Sequence, residues 1–173
     1  PEDNTTLASN YITAIVPAGD GMLWVGTLGL GLDLFNTETG KVEEHITHDP
    51  ENPNSLAEDT IFALLPVEDG TLWIGTARGG VDHYNPKTKQ FTNYMYDEND
   101  PDSLANNAVN ALALDIRGRL WVGTSNGLSV LNPETLKFNT YTEDDGLPGN
   151  AVYGILVDEQ TNDVWISTSR GLA

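Results

Sequence analysis

Two of the chain's eight basic residues stand in the same slot of a repeated phrase. Arg78 precedes Gly79-Gly80 and Arg170 precedes Gly171, while Asn126 and Gly29 hold that slot in the other two copies. A guanidinium presents a planar fork of donors, so arginines converging from such turns could clamp a carboxylate or sulfate through paired hydrogen bonds. Pairing with the abundant loop acids is the alternative. A second set, Thr13, Phe62, Asn110 and Tyr153, varies in chemistry while its neighbours repeat. Specificity positions would vary in this way, and so would plain exposed ones. The ligand-binding candidates are Arg78, Asn126, Arg170, Phe62, Asn110 and Tyr153.

Other residue types carry less. Four tryptophans could stack on sugar rings, but a tryptophan recurring at one slot reads first as packing between repeated units. The acidic stretches 49–54, 97–102 and 143–146 offer oxygens to a hard cation such as calcium. They lack the regular spacing of a calcium loop, and proline interrupts two of them, so they read as solvated turns. His45 falls in the slot of Tyr94 and Tyr141, which suggests packing. No Ser/His/Asp order, paired acid and base or phosphate-cradling loop is present, so no catalytic residue, metal site or cofactor is expected.

The elements that must hold these residues are set by repetition. Leu72-Trp73-Ile74-Gly75-Thr76 recurs as Leu23–Thr27, Leu120–Thr124 and, more weakly, Val164–Thr168, with tryptophans 49, 48 and 44 residues apart. From Leu7, Leu56, Leu104 and Leu147 the next tryptophan lies 17, 17, 17 and 18 residues on, so one register runs through all four copies. The residues before Ser9 therefore resemble the end of an inter-repeat loop. The extra residue of the last copy falls in the turn at Thr161-Asn162-Asp163.

Each repeat reads as four short strands. The first is apolar with a small residue inside it, Ala14, Ala63, Ala111 or Gly154, and is expected to be buried on both faces. Asp20-Gly21, Asp69-Gly70 and Arg117-Gly118 turn the chain into the tryptophan strand, since glycine accepts positive φ. A glycine two residues after the tryptophan marks close backbone approach. A third strand ends at Asn36-Thr37, Asn85-Pro86 and Asn132-Pro133, and a fourth alternates as an edge strand does. No helix pattern is found. A period in the forties with four strands per unit is the pattern of a β-propeller. The fold class is all-β: one partial propeller over residues 1–173, with repeats 9–54, 55–102, 103–146 and an incomplete 147–173. Three and a half blades are fewer than close a ring. The chain, which begins at Pro1, is thus expected to be part of a longer ring or to associate with another copy.

Twenty-six acidic against eight basic residues give a net charge of −18. Such a surface repels phosphate backbones, so nucleic acid and anionic membrane are poor partners. There is no cysteine, which excludes disulfides. No stretch approaches the ~20 apolar residues of a membrane span.

The phrase Asp-x-x-Gly-x-Leu-Trp-[Val/Ile]-Gly-Thr-x-x-Gly-Gly resembles the two-component regulator propeller repeat across essentially the whole chain, with Asp69–Gly80 the best copy. Asn150–Asp158 after Gly146-Leu147-Pro148 is similar to that family too. The departures are Ser167 for the glycine and Gly29-Leu30-Gly31 for Gly-Gly. The resemblance implies a periplasmic sensor propeller of a bacterial receptor whose kinase or cyclase lies elsewhere, without catalysis, and a small-molecule ligand such as an oligosaccharide. A protein-interaction scaffold is the second reading. A propeller lyase is the third: streptogramin lyases share Asp-Gly-x-Leu-Trp but continue Phe-Thr-Glu. In propeller geometry the second turn and the linker share the face around the channel mouth, where the candidates above would meet.

Overall fold

A computed structural model describes residues 5–158 and 160–173. The beginning of the loop-like N-terminal segment, residues 1–4, lies outside the described residues. Among the described residues fifteen strands form four antiparallel sheets, each in simple up-and-down order. The first sheet holds β1 (Ile12–Gly19), β2 (Met22–Thr27), β3 (Leu32–Asn36) and β4 (Lys41–Ile46). The second holds β5 (Ile61–Pro66), β6 (Leu72–Thr76), β7 (Val81–Asn85) and β8 (Gln90–Tyr94). The third holds β9 (Val109–Leu114), β10 (Leu120–Thr124), β11 (Gly127–Leu131) and β12 (Phe138–Tyr141). The fourth has only β13 (Val152–Val157), β14 (Val164–Thr168) and the two-residue β15 (Gly171–Leu172). The chain is all-β, with three complete blades and a fourth that is partial. Its one helical piece among the described residues is a 3₁₀ turn at Glu143–Asp145, where the sequence shows no helical pattern.

Contacts group the chain into two compact units that divide between Asn93 and Tyr94. In the first unit β1 packs beside β5, and in the second β9 packs beside β13. The seams are made possible by the glycine after each tryptophan. A Cβ on Gly26 would stand 2.7 Å from Ile61 Cγ2, and one on Gly123 would stand 2.6 Å from Val152 Cγ1. Only a residue without a side chain lets the next sheet's branched residue come that close.

The core of the first unit joins Trp24 and Leu32 to Leu56, Ile61, Leu72, Ile74, Tyr84 and Phe91. Trp24 meets the ring of Tyr84 edge-on at 5.8 Å, so this tryptophan packs between sheets as its recurrence suggests. In the second unit Leu128, Val152 and Ile166 form the centre, with Trp121, Leu147 and Ile155 against it. The tryptophan slot is not uniformly buried: Trp24 is 5% exposed and Trp165 is 48% exposed.

Two expectations are corrected here. The first strands are mostly half-buried, not buried on both faces. Each carries a bulge near its start, which turns part of the strand outward. His45 does not sit in the slot of Tyr94 and Tyr141. A register shift between Leu34 and Phe35 makes β4 slip by one, so His45 pairs with Asp33 as Thr140 pairs with Ser129. Its Nδ1 lies 2.6 Å from Asp33 Oδ1.

Candidate functional site

The repeated threonine that ends each tryptophan strand builds the turn beyond it. The hydroxyls of Thr27, Thr76, Thr124 and Thr168 donate to the carbonyls of Gly31, Gly80, Gly127 and Gly171 at 2.8, 3.0, 2.7 and 3.0 Å. The same hydroxyls accept the backbone N–H of Leu30, Gly79, Asn126 and Arg170. Both ends of the turn are thus tied to one oxygen, which is buried in the first three copies. In the first copy the turn closes on Gly31 at φ 78°, where a Cβ would lie 2.1 Å from the Ile46 carbonyl. The slot of Gly29, Arg78, Asn126 and Arg170 rides on this frame and bears none of its bonds through its side chain.

The second candidate set has an equally specific origin. The pairing of β1 with β2 runs Ile12↔Thr27 and then Ala14↔Gly26, which leaves Thr13 as the extra residue. Phe62, Asn110 and Tyr153 are the extra residues at the same place in β5, β9 and β13. Four positions chosen because they vary are four β-bulges, and a bulge re-aims the side chain it carries. The Tyr153 ring is exposed and that of Phe62 partly so. Asn110 donates its Nδ2 to the Val152 carbonyl at 2.9 Å, beside Tyr153. The Thr13 hydroxyl is buried and has no hydrogen-bond partner among the described residues.

Turn and bulge meet at one end of every sheet. The N–H after each repeated threonine donates to the residue just before the first strand: Leu28 to Tyr11, Ala77 to Thr60, Ser125 to Ala108 and Ser169 to Ala151, at 2.8 to 3.0 Å. Phe62 and Arg78 therefore share an end of the second sheet, Asn110 and Asn126 one of the third, and Tyr153 and Arg170 one of the fourth. Each arginine already has an acid. Arg78 Nη2 is 3.5 Å from Glu58 Oε1, and Arg170 Nη1 is 2.8 Å from Glu143 Oε2. Both guanidiniums are exposed, and such pairs are weak, worth about 0–1 kcal/mol, which leaves the guanidiniums exchangeable. Asn126 lines a groove of about 250 Å³ with Asp97, Glu98 and Asp100. Among the described residues no group of three or more His, Cys, Asp or Glu is placed to hold a metal ion.

The family model described as two component regulator propeller matches residues 6–29, 55–78, 103–126 and 146–170, more than half of the chain. The chain belongs to this family. Its fold is similar to the extracellular domain of the putative hybrid two component system BT3049 from B. thetaiotaomicron, at TM-score 0.76 and 24% identity over 98% of this chain and 29% of that one. It is also similar to the extracellular domain of the putative hybrid two component system BT4673 from the same organism, at TM-score 0.73 and 28% identity over 96% and 21%. The computationally designed Ika4 protein is similar at TM-score 0.65 and 17% identity over 100% and 96%. The chain thus spans 21–29% of the length of the two B. thetaiotaomicron domains. No curated protein matches it in sequence.

Each matched propeller repeat begins in the linker before its blade, and the structure shows why that linker belongs to it. The N–H of Ala57, in Leu56-Ala57, donates to Asp82 Oδ2 on the third strand at 2.9 Å, and Ala8 does the same to Asp33 at 2.8 Å. Ala105 donates to Ser129 Oγ at 3.0 Å. These acceptors are buried. Burial raises the Asp82 carboxyl to about 6, against hydrogen bonds from Ala57 and Asn93 that favour its charged form. The sequence signal was passed over: each acceptor is a polar residue directly after the first apolar residue of its third strand, Leu32-Asp33, Val81-Asp82 and Leu128-Ser129. Tyr11, Leu28 and Leu30 were also missed. They are exposed at the turn end of the first sheet, where the other blades carry Thr60, Ala77 and Gly79 or Ala and Ser.

Proposed function

We propose that this chain is a segment of the non-catalytic ligand-sensing propeller of a bacterial signal receptor, acting outside the cytoplasm, in the periplasm, and taking an oligosaccharide. The observation that carries the reading is the pairing of one outward turn residue with one bulged residue at the same end of each blade. The frame beneath them repeats, while they change from blade to blade. Chemistry that varies on a fixed scaffold suits recognition better than catalysis, which needs a nucleophile, acid or base held in mutual reach. Membership of the two-component regulator propeller family and the likeness to extracellular domains of hybrid two-component systems support the sensor role. Aromatic Phe62 and Tyr153 suit the apolar face of a sugar ring, and Arg78 and Arg170 suit a carboxylate or sulfate substituent. The 173 residues act as one partial propeller domain in this reading, with kinase or cyclase output elsewhere.

Thermal-shift and calorimetric titration against neutral and acidic oligosaccharides test it. Saturating ligand should raise the melting temperature in proportion to ligand occupancy. The response should be lost in Tyr153→Ala and, for acidic glycans, weakened in Arg78→Ala. A panel with no shift, or a shift indifferent to both substitutions, overturns it. A protein-binding scaffold is favoured by one specific observation, the exposed Tyr11, Leu28 and Leu30 on the first blade. That reading expects a protein partner whose binding fails in Leu30→Asp and no glycan response.

A further inference from the structure

Three residues hand an outer strand over to the linker that follows it in the same way. His48, Tyr96 and Glu143 each donate a backbone N–H to a side-chain oxygen in that linker, on Asp59, Asn107 and Asn150, at 2.6 to 2.7 Å. Their side chains then part ways. His48 brings its Nδ1 to 2.7 Å from the Leu56 carbonyl. The Glu143 carboxylate accepts from Arg170 and from the N–H of Asn150. Tyr96 is 50% exposed, and its ring and hydroxyl take no partner among the described residues. An aromatic ring without a structural duty thus stands at this place in the middle of the chain.

That ring lines a groove of about 250 Å³. Asp97, Glu98, Asp100 and Asn126 line it too, with the buried Leu104. Hydrogen bonds fix its acidic part before any ligand arrives. Ser103 Oγ accepts the Asp97 N–H at 3.0 Å and donates to the Asp97 carbonyl at 3.1 Å. Asp97 Oδ1 accepts the N–H of Asn99 at 2.9 Å, and Asp100 Oδ1 accepts that of Asp102 at 3.0 Å. Each carboxylate thus uses one oxygen to shape the loop, and its Oδ2 takes no hydrogen bond among the described residues. The Asn126 amide is open in the same sense, since its residue is bonded through the backbone N–H, to Thr124 Oγ1. Lys137, the base near Asp100, is committed to Asp102 at 2.6 Å.

A bare ring face, carboxylate oxygens that accept and an amide that both donates and accepts match a polyhydroxy ring. Its C–H face packs on an aromatic, and its hydroxyls can serve both partners. The volume lies below the ~300 Å³ at which drug-sized pockets begin, so it suits a single ring. The carboxylates repel an anion. We propose that this groove is a separate saccharide site that takes one neutral pyranose ring on Tyr96, with Asp97, Asp100 and Asn126 reading its hydroxyls. The proposal rests on the reading that the propeller takes an oligosaccharide. It adds a neutral subsite to turn positions whose arginines suit an acidic unit.

Amide NMR titration of the wild-type chain tests this. The probes are the methyl glycosides of glucose, galactose, mannose, xylose and N-acetylglucosamine, with galacturonic acid as the acidic control. At least one neutral glycoside should shift the Tyr96 N–H and the Asn126 side-chain amide saturably, with a Kd of roughly 1–10 mM. Galacturonate should bind there about 10-fold more weakly. Tyr96→Ala should weaken the neutral glycoside about 10-fold, with circular dichroism unchanged because the side chain is exposed. Tyr96→Phe keeps the ring and should stay within about 3-fold of wild type. No saturable shift in the groove with any neutral glycoside overturns the proposal. So does a preference for galacturonate, or binding that survives Tyr96→Ala. Glycan binding lost in Tyr153→Ala but kept in Tyr96→Ala removes the groove and leaves the turn-and-bulge reading standing. Binding lost in Tyr96→Ala but indifferent to Tyr153→Ala and Arg78→Ala does the reverse.

Discussion

Trp24 and Trp165 occupy the same slot of the same repeat and end in opposite surroundings. Trp24 is sealed against Tyr84 of the second sheet, whereas Trp165 faces solvent beside Leu156 and Leu172. Their hairpins are alike: each pairs the tryptophan strand with a bulged first strand and ends in a threonine that pins the next turn. The local phrase thus encodes a hairpin and a turn, while burial is conferred by whichever sheet lies against it. In repeat architectures stability divides in this way into a term within each unit and a term between neighbours.

The largest test of this division removes both rings. Trp24→Ala should cost about 3–5 kcal/mol in chemical denaturation, the loss expected for a fully packed aromatic. Trp165→Ala should cost less, about 1–3 kcal/mol, because only about half of its surface leaves water on folding. Equal losses would show that the slot is stabilised within its own hairpin.

Asp82 supplies the next contrast, against Ser129 in the same latch of the third sheet. Its folded pKa of about 6 lies above the ordinary 3.8, so the native state keeps a proton that the unfolded chain releases. Stability from this group is therefore fully present below pH 3.8 and is lost as pH rises through 6. Relative to Asp82→Asn, the wild type should gain on the order of 2 kcal/mol between pH 7.5 and 4.5. The carboxylates of Asp69 and Asp115, held below their usual range by hydrogen bonds, shift stability the other way, but they are common to both proteins and cancel. Paired melting curves measure the difference. A flat difference would mean that Asp82 is charged and fully compensated at neutral pH.

A smaller effect comes from the seam glycines. Gly26→Ser should cost about 1–3 kcal/mol by pushing on Ile61, while Ser167→Gly should shift stability by under about 1 kcal/mol in the isolated chain. The smallest concerns the turn slot. Arg78→Ala should change the unfolding midpoint by an amount equivalent to less than about 0.5 kcal/mol, since its guanidinium is exposed and its ion pair long. A larger loss there would make the arginine part of the frame and not a reading position.

Much of this was legible in the residues. The recurrence of Leu-Trp-[Val/Ile]-Gly-Thr located four tryptophan strands, because its glycine and threonine have physical duties that only those residue types fulfil. The variable positions Thr13, Phe62, Asn110 and Tyr153 were legible as a set, though the reason for their freedom, a bulge at each, depends on pairing between strands and is invisible along the chain. His45 was misplaced for the same cause: counting residues cannot detect a one-residue slip in β4. The latches at Asp33 and Asp82 escaped notice because their partners are backbone N–H groups about 25 residues away, which carry no side-chain signature.

The threonine tie has a consequence for how such a protein diversifies. Since loop closure is assigned to one hydroxyl behind the turn, the outward position can be rewritten codon by codon without renegotiating the backbone. A combinatorial library confined to residues 78, 126 and 170 and the exposed bulges at 62 and 153 should yield mostly folded members, with Gly29 kept for its φ of 88°, and selection among them would then act on recognition alone.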